Sequence, residues 1–325
     1  MHDRSSLTEE SSPSLPLSAG GWRRRGVGRK ADPLFAALAA LSGVVVLLVL
    51  AYMLISTTST ALPVFSSQGI SFITSSEWNP RQGRFGTLAF IYGTAVTSAI
   101  ALLIAVPLSL GVAIFLSEYA PRWLRGPVGY AVDLLAAVPS VIYGLWGVTV
   151  LLPLFLQPAA DFLARYLGFL PIFAGPPSGL SYFGAGVVLA IMVIPIITSL
   201  CREIFATVPD DERQAAYALG ATRWEMIRAV VLPRGRAGVV GAVMLGLGRA
   251  LGETIAVALL IGSAVSIDAS ILRPGYSMAA LIANQFQEAT GDHIRALVGV
   301  GVVLFGFTIA VNMVARLLVW RFNRP

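Results

Sequence analysis

One long apolar segment of the sequence, Gly241–Gly262, contains two residues of opposite charge. Arg249 and Glu253 are four residues apart, so they would share one face of a continuous helix. A guanidinium is a planar fork that matches two oxygens of an oxyanion. A carboxylate beside it repels a fully deprotonated anion but can accept a hydrogen bond from an anion that keeps a proton. Near neutral pH phosphate keeps a proton and sulfate does not, so the pair fits phosphate better than sulfate.

The depth of Arg249 in the predicted span gives two interpretations of the pair. Arg249 lies ten residues after Val239, where the span is expected to begin. That is about 15 Å at 1.5 Å per residue, near the middle of a ~30 Å hydrocarbon layer. An unpaired arginine there costs at least about 2.5–3.5 kcal/mol, and intramembrane charges commonly mark a transport path. We therefore expect Arg249 and Glu253 to line a substrate pathway, and a structural ion pair is the alternative.

The composition is that of an integral membrane protein. Of 325 residues, 56% are hydrophobic and 12% are charged, whereas soluble domains are about a quarter charged. The single cysteine excludes an intrachain disulfide, and the two histidines have no metal-ligand spacing. No Gly-Lys pair is present, so the chain lacks a P-loop. We therefore expect no catalytic residues, metal or cofactor on this chain, and a partner would have to bind any ATP.

Six segments are long and apolar enough to predict membrane-spanning helices. They are Leu34–Ile55, Leu88–Leu116, Val128–Leu156, Phe183–Phe205, Val239–Val265 and Ile294–Trp320. Seventeen basic residues fall on one side of this arrangement and five on the other. The positive-inside rule then predicts that both termini are cytoplasmic. Residues 1–33 are rich in Ser, Pro and Arg, which indicates a disordered basic cytoplasmic tail.

The loop between spans four and five, residues 207–234, predicts two helices joined by a tight turn; we call it the docking loop. Asp210 follows a proline and can cap the first helix. Gly220 supplies the left-handed position that ends that helix. Thr222–Glu225 reads as a capping box that opens the second helix, and Pro233 is expected to end it. Such a pair of helices could lie on the membrane surface or insert into a groove on a partner.

The docking loop resembles the "EAA" loop of ABC importer permeases. The matching positions are Ala215, Ala216, Gly220, Ala221, Ile227, Leu232 and Pro233. Gln214 stands where the motif has a glutamate. The resemblance implies that Gln214, Ala215, Ala216, Gly220 and Ala221 couple the chain to an ATPase.

Two further segments are similar to the PstC family of phosphate-specific ABC importer permeases. They are GLGRALGET around Arg249 and VDLLAAVPSVIYGLWG at Val132–Gly147. The Arg-Ala-Leu-Gly-Glu run favours PstC over the sister subunit PstA. The resemblance implies an all-α fold of six transmembrane helices, the MetI-like fold of type I importers, in the bacterial cytoplasmic (inner) membrane. Residues 34–325 would then be the permease domain, with a core at residues 85–320 and its coupling loop at residues 207–234.

The same resemblance implies the partners. They are a PstA-like second permease, a PstB-like ATPase dimer that holds ATP and Mg, and an extracytoplasmic PstS-like phosphate-binding protein. Arg249 and Glu253 would contribute to the phosphate path. Two other functions stay open on the residues alone: import of another oxyanion, such as sulfate or molybdate, and transport that needs no ATPase.

Small residues around Arg249 predict close helix packing. Gly248 and Gly252 form a GxxxG step, and Ala242, Gly246 and Ala250 form a second row of small residues. Packing within this chain and packing against a second permease subunit are both consistent with this pattern.

Overall fold

The structure is a computed structural model that describes residues 31–322, and this part of the chain is mostly helical. Six helical segments are long and apolar enough to cross a membrane: Pro33–Gln68, Leu88–Tyr119, Ser140–Leu167, Tyr182–Ala206, Arg223–Gly252 and Asp292–Leu317. The six predicted spans are thus confirmed, although the bounds of several differ. The chain is an all-α, multi-pass membrane protein.

The elements follow in chain order. They are α1 (Ala31–Gln68), α2 (Ser71–Thr74), β1 (Trp78–Asn79), β2 (Arg84–Phe85), α3 (Leu88–Ile114), α4 (Arg122–Ala137), α5 (Ser140–Trp146), α6 (Gln157–Leu167), α7 (Tyr182–Ala206), α8 (Asp210–Ala218), α9 (Arg223–Met226), α10 (Leu232–Gly252), α11 (Ile255–Leu260), α12 (Met278–Gln285) and α13 (Asp292–Phe322). Three π-helical segments, Phe115–Tyr119, Gly147–Leu156 and Ile227–Val231, continue α3, α5 and α9. The two short strands pair antiparallel, with Trp78 opposite Phe85.

The chain divides into two compact units, residues 1–53 and residues 54–325. In the first unit the described residues belong to α1. Most of the predicted basic tail, residues 1–30, lies outside the described residues, and the last three residues of that tail belong to α1. The second unit contains the rest of α1, from Leu54 to Gln68, and every other element.

The core of the second unit is built around α7, which packs against α3 and α10. Glycines allow the close approach: a Cβ on Gly186 would lie 2.6 Å from Ile100 of α3, and one on Gly246 would lie 2.8 Å from Ile197 of α7. The Ser109 hydroxyl of α3 also donates a hydrogen bond of 3.1 Å to the Ile194 carbonyl oxygen. Small residues at these crossings are the usual means of helix association in lipid.

The third span is shorter at its start than the sequence predicts. The expected helix from Val128 to Leu156 breaks after Ala137, and α4 is a separate helix. The reason is Pro139, because the residue before a proline is disfavoured in the helical region, and Val138 has an extended ψ of 129°. Asp133 lies in this separate helix and pairs with Arg202 of α7 at 3.1 Å.

The long connection between α11 and α12 folds back onto the bundle. The Gly275 amide donates to the Ile261 carbonyl oxygen at 2.8 Å, and the Tyr182 hydroxyl donates to the Ser266 carbonyl oxygen at 3.1 Å. The Met278 amide donates to the Thr94 hydroxyl at 3.0 Å. Irregular backbone near a membrane is tolerated where the protein satisfies its polar groups in this way.

Candidate functional site

The helix that carries Arg249 ends before it reaches Glu253. The last residue of α10 is Gly252, Glu253 has an extended ψ of 131°, and the helix resumes at Ile255 as α11. Arg249 therefore lies in the last turn of α10, and Glu253 lies in the break. The expectation of a continuous helix with both side chains on one face is wrong, because the backbone turns at Glu253. A cation in the last turn is favoured by the helix dipole.

The two charged side chains have different surroundings. Arg249 is exposed in this chain, whereas only 9% of Glu253 is exposed. Within residues 31–322, no hydrogen bond or ion pair joins the two side chains or holds either to another residue. The intrachain ion pair that was the alternative interpretation is therefore absent from this part of the chain.

The two rows of small residues on α10 face different surroundings. Ala242 and Ala250 are buried, and Gly246 lies against Ile197 and Val193 of α7. This row packs within the chain. An added Cβ on Gly248 or Gly252 would meet nothing within 4 Å. Arg249 thus belongs to a glycine-rich face of α10 that the described residues leave uncovered.

The segment after the break is fixed by close packing against α5. A Cβ on Gly144 would lie 2.8 Å from Leu259 Cδ1 and 3.0 Å from Ala256 Cα. Ala256, Val257 and Leu260 are buried. This contact holds α11 in place, so the position of Glu253 is set by α10 on one side and by α11 on the other.

The docking loop contains the predicted helix, glycine turn and second helix. Gly220 has φ +85°, the left-handed value expected of it. The Ala221 amide donates to the Ala216 carbonyl oxygen at 3.1 Å, and the Gly220 amide donates to that of Tyr217 at 2.9 Å. These two bonds are the Schellman pattern. The capping box is also confirmed, because Thr222 and Glu225 exchange both of its hydrogen bonds.

Two expectations for the docking loop are wrong. Pro209, not Asp210, is the residue that precedes α8, and no side chain caps the helix. Asp210 is instead held 2.8 Å from the Arg213 guanidinium. Pro233 does not end the second helix, because the π-helical turn Ile227–Val231 precedes it and the chain continues into α10. A π-turn widens the helix locally, and Pro233 sits in the first turn of α10, where its missing N–H is tolerated.

The docking loop continues into α10 along helical backbone. The second helix of the docking loop and the span that carries Arg249 form one helical segment, Arg223–Gly252.

The predicted coupling residues lie together at the tip of the docking loop. Gln214, Ala215 and Gly220 are exposed, and Ala216 and Ala221 are half-buried. The three alanines line an open cleft of about 670 Å³ between α8 and the start of α10.

Two further residues, Leu219 and Glu212, line this cleft and are not among the predicted coupling residues. Leu219 lines the cleft and is 90% exposed, and Glu212 pairs with Arg234 across it at 3.1 Å. A large apolar residue directly before the turn glycine was the available signal for Leu219. The pairing of Glu212 depends on tertiary contact, so no local pattern could predict it.

The chain belongs to a family of membrane transport proteins. Residues 105–324 match the family described as binding-protein-dependent transport system inner membrane component. Within that family the chain belongs with the PstC permeases. It is 51% identical to the phosphate transport system permease protein PstC of Xylella fastidiosa (strain 9a5c), over 84% of this chain and 88% of the relative. It is 44% identical to the protein of the same name from Mesorhizobium japonicum, over 98% of each chain.

Solved ABC transporters share the fold at low sequence identity. A chain of the bacterial alginate ABC transporter, in complex with an alginate pentasaccharide-bound periplasmic protein, gives a TM-score of 0.60 at 16% identity, covering 91% of this chain and 96% of that chain. A chain of the inward-facing MetNI methionine ABC transporter gives a TM-score of 0.54 at 18% identity, covering 76% of this chain and all of that chain. The predicted MetI-like fold is thereby confirmed.

Proposed function

We propose that this chain is the transmembrane permease subunit of an ATP-driven ABC importer of inorganic phosphate in the bacterial inner membrane. The observation that carries the proposal is its 44% identity to a PstC permease over 98% of both chains. The site geometry supports it, because an unpaired guanidinium on an uncovered helix face is available to an oxyanion.

In this proposal the partners supply what the chain does not. A PstA-like permease covers the glycine-rich face of α10, and PstB-like ATPase subunits bind and hydrolyse ATP with Mg. A PstS-like extracytoplasmic protein delivers phosphate to the end of the bundle opposite the docking loop. The docking loop and both termini are then cytoplasmic, as the distribution of basic residues predicts.

Arg249 and Glu253 would act on the anion in different ways. Arg249, exposed in the last turn of α10, attracts the anion and can bind two of its oxygens. Glu253 is more buried and disfavours an anion without a proton, because it offers only an acceptor. Phosphate keeps a proton near neutral pH, so the two residues together favour phosphate over sulfate.

Motion would reach the site through the continuous segment Arg223–Gly252. Closure of the ATPase dimer moves α8 and α9, which rest in its groove through Gln214, Ala215 and Gly220. Because α9 continues into α10, the same movement displaces Arg249 and changes which side of the membrane the path opens to.

The experiment that tests the proposal is uptake of labelled phosphate in cells that lack their own high-affinity system. The cells receive this chain with the three partners named above, and a matched strain receives an ATPase subunit that cannot hydrolyse ATP. We expect uptake only with the active ATPase and competition by arsenate but not by sulfate or molybdate. Competition by sulfate or molybdate would reassign the substrate, and uptake with the inactive ATPase would refute the ABC importer.

A further inference from the structure

One arginine of the docking loop connects three helical elements. Arg213 of α8 donates through Nη2 to Glu118 Oε1 at 3.0 Å and to the Phe205 carbonyl oxygen at 2.7 Å. Through Nη1 it donates to Asp210 of its own helix at 2.8 Å. Glu118 lies at the end of span two, and Phe205 lies at the end of α7. A single guanidinium therefore ties the docking loop to the ends of spans two and four.

The Arg213–Glu118 pair is sheltered from solvent. The Glu118 side chain is 7% exposed and that of Arg213 is 17% exposed. Removing one partner of a sheltered pair leaves the other charge desolvated and uncompensated, so such a pair resists separation. The ion pair that lies across the cleft, Glu212–Arg234, is more exposed, at 38% and 63%, and carries less energy.

A second contact reaches the neighbouring residue of span two. The Arg223 guanidinium lies 5.0 Å from the centre of the Tyr119 ring, within the range of a cation–π interaction. Arg213 belongs to α8 and Arg223 to α9. Both helices of the docking loop therefore hold span two, at the consecutive residues Glu118 and Tyr119.

The held segment is itself irregular. Phe115–Tyr119 is a π-helical turn that ends α3, and the Ala120 amide closes it by donating to the Phe115 carbonyl oxygen at 2.7 Å. Single π-turns interrupt the helical register and are frequent at functional positions. The turn is also well placed to pass on a displacement, because α3 packs along α7 at Gly186 and Ser109.

We propose that the π-turn Phe115–Tyr119 is the receiver of docking-loop motion, gripped by Arg213 and Arg223. This inference rests on the proposed function. It adds a second route to the one through α9 and α10. Movement of α8 displaces the ends of spans two and four at the same time as the first route displaces the span that carries Arg249. Glu118 and Tyr119 are then positioning residues that act through the docking loop and touch neither ATP nor phosphate.

The test uses the whole complex, with both permeases, the ATPase dimer and the binding protein, in proteoliposomes. Three quantities are measured: basal ATP hydrolysis, its stimulation by phosphate-loaded binding protein, and phosphate imported per ATP hydrolysed. Glu118→Gln removes the charge with the same shape, and Tyr119→Leu removes the ring. Tyr119→Phe keeps the ring, and Arg295→Gln breaks an exposed pair with Asp292 in α13; both are matched controls.

We expect Glu118→Gln and Tyr119→Leu to lower stimulation and phosphate imported per ATP on the order of tenfold, within the range of coupling carried by single contacts. Basal hydrolysis and co-purification of the subunits should stay at the wild-type level, as should every quantity for the two controls. Wild-type coupling in Glu118→Gln and Tyr119→Leu would overturn the proposal. Parallel loss of assembly and basal hydrolysis in Tyr119→Leu would overturn it too, since the contact would then serve only to stabilise the complex.

The two proposals fail in different places. A wild-type complex that responds to its binding protein but imports no phosphate would refute the proposed substrate. The role of the π-turn is tested by the ratio of variant to wild-type stimulation of ATP hydrolysis, and this ratio does not depend on which anion the binding protein carries.

Discussion

Replacement of Gly220 gives a quantitative test of the docking loop. Gly220 adopts φ +85°, and an L-residue in this left-handed conformation is destabilised by about 1–2 kcal/mol. An added Cβ would meet nothing within 4 Å, so the chain itself adds no steric cost. Gly220→Ala should therefore weaken the turn by about 1–2 kcal/mol, a factor of roughly 5–30 in its folded population. Gly220→Asn should cost less, because asparagine tolerates this conformation.

The assay is the affinity of the ATPase subunit for the purified permease pair, with phosphate uptake measured alongside. Wild type should bind most tightly, followed by the asparagine, alanine and leucine variants at position 220. If Gly220→Leu loses more affinity for the ATPase subunit than Gly220→Ala does, the extra loss comes from contact with the groove of the ATPase, because this chain leaves open space around the position. Membrane insertion should be equal in all four.

Two results would contradict this reasoning. If Gly220→Ala bound as tightly as both wild type and Gly220→Asn, the backbone conformation would not matter for docking. If Gly220→Leu and Gly220→Ala were equally weak, the turn would not seat in a groove.

Three further predictions concern other parts of the chain. Thr222→Ala removes the capping box and should lower the local stability of α9 by about 1 kcal/mol, seen as faster amide hydrogen exchange there; unchanged exchange would count against the cap. Gly93→Ala places a Cβ on top of the Tyr276 carbonyl oxygen and should lower stability by about 1–3 kcal/mol in thermal unfolding, whereas Gly111→Ala in the same helix has open space and should not; equal melting would refute the close contact. Glu253→Gln should lower phosphate uptake and let sulfate compete, because the carboxylate that disfavours a proton-free anion is gone; unaltered competition would remove Glu253 from selectivity.

The features that local sequence could predict are those decided by a few adjacent residues. The six spans follow from long apolar runs, and the turn at Gly220 and the box at Thr222–Glu225 follow from backbone and side-chain preferences within a few residues. The expectation that Pro233 ends the second helix is wrong, because the π-turn Ile227–Val231 continues the helical backbone up to Leu232 and a proline is tolerated in the first turn of α10.

The features that local sequence could not predict depend on tertiary contact. Gly252 reads as part of a GxxxG packing step, and the break that follows it is held by α5 through Gly144, more than a hundred positions earlier in the chain. Glu118 and Arg213 are 95 residues apart, and each belongs to a segment with other charges nearby. The residue types at the candidate site could therefore be predicted from the sequence, whereas the helix break that separates Arg249 from Glu253 could not.

The central claim is that Arg249 binds phosphate on its path through the membrane. The most direct measurement is the concentration dependence of phosphate uptake by the whole complex with Arg249→Gln and Arg249→Lys. Arg316→Gln, which removes an exposed arginine from α13, is the matched control. We predict that Arg249→Gln abolishes uptake while assembly and basal ATP hydrolysis persist, that Arg249→Lys keeps a fraction of uptake, and that Arg316→Gln transports as wild type. Wild-type uptake by Arg249→Gln would contradict the account.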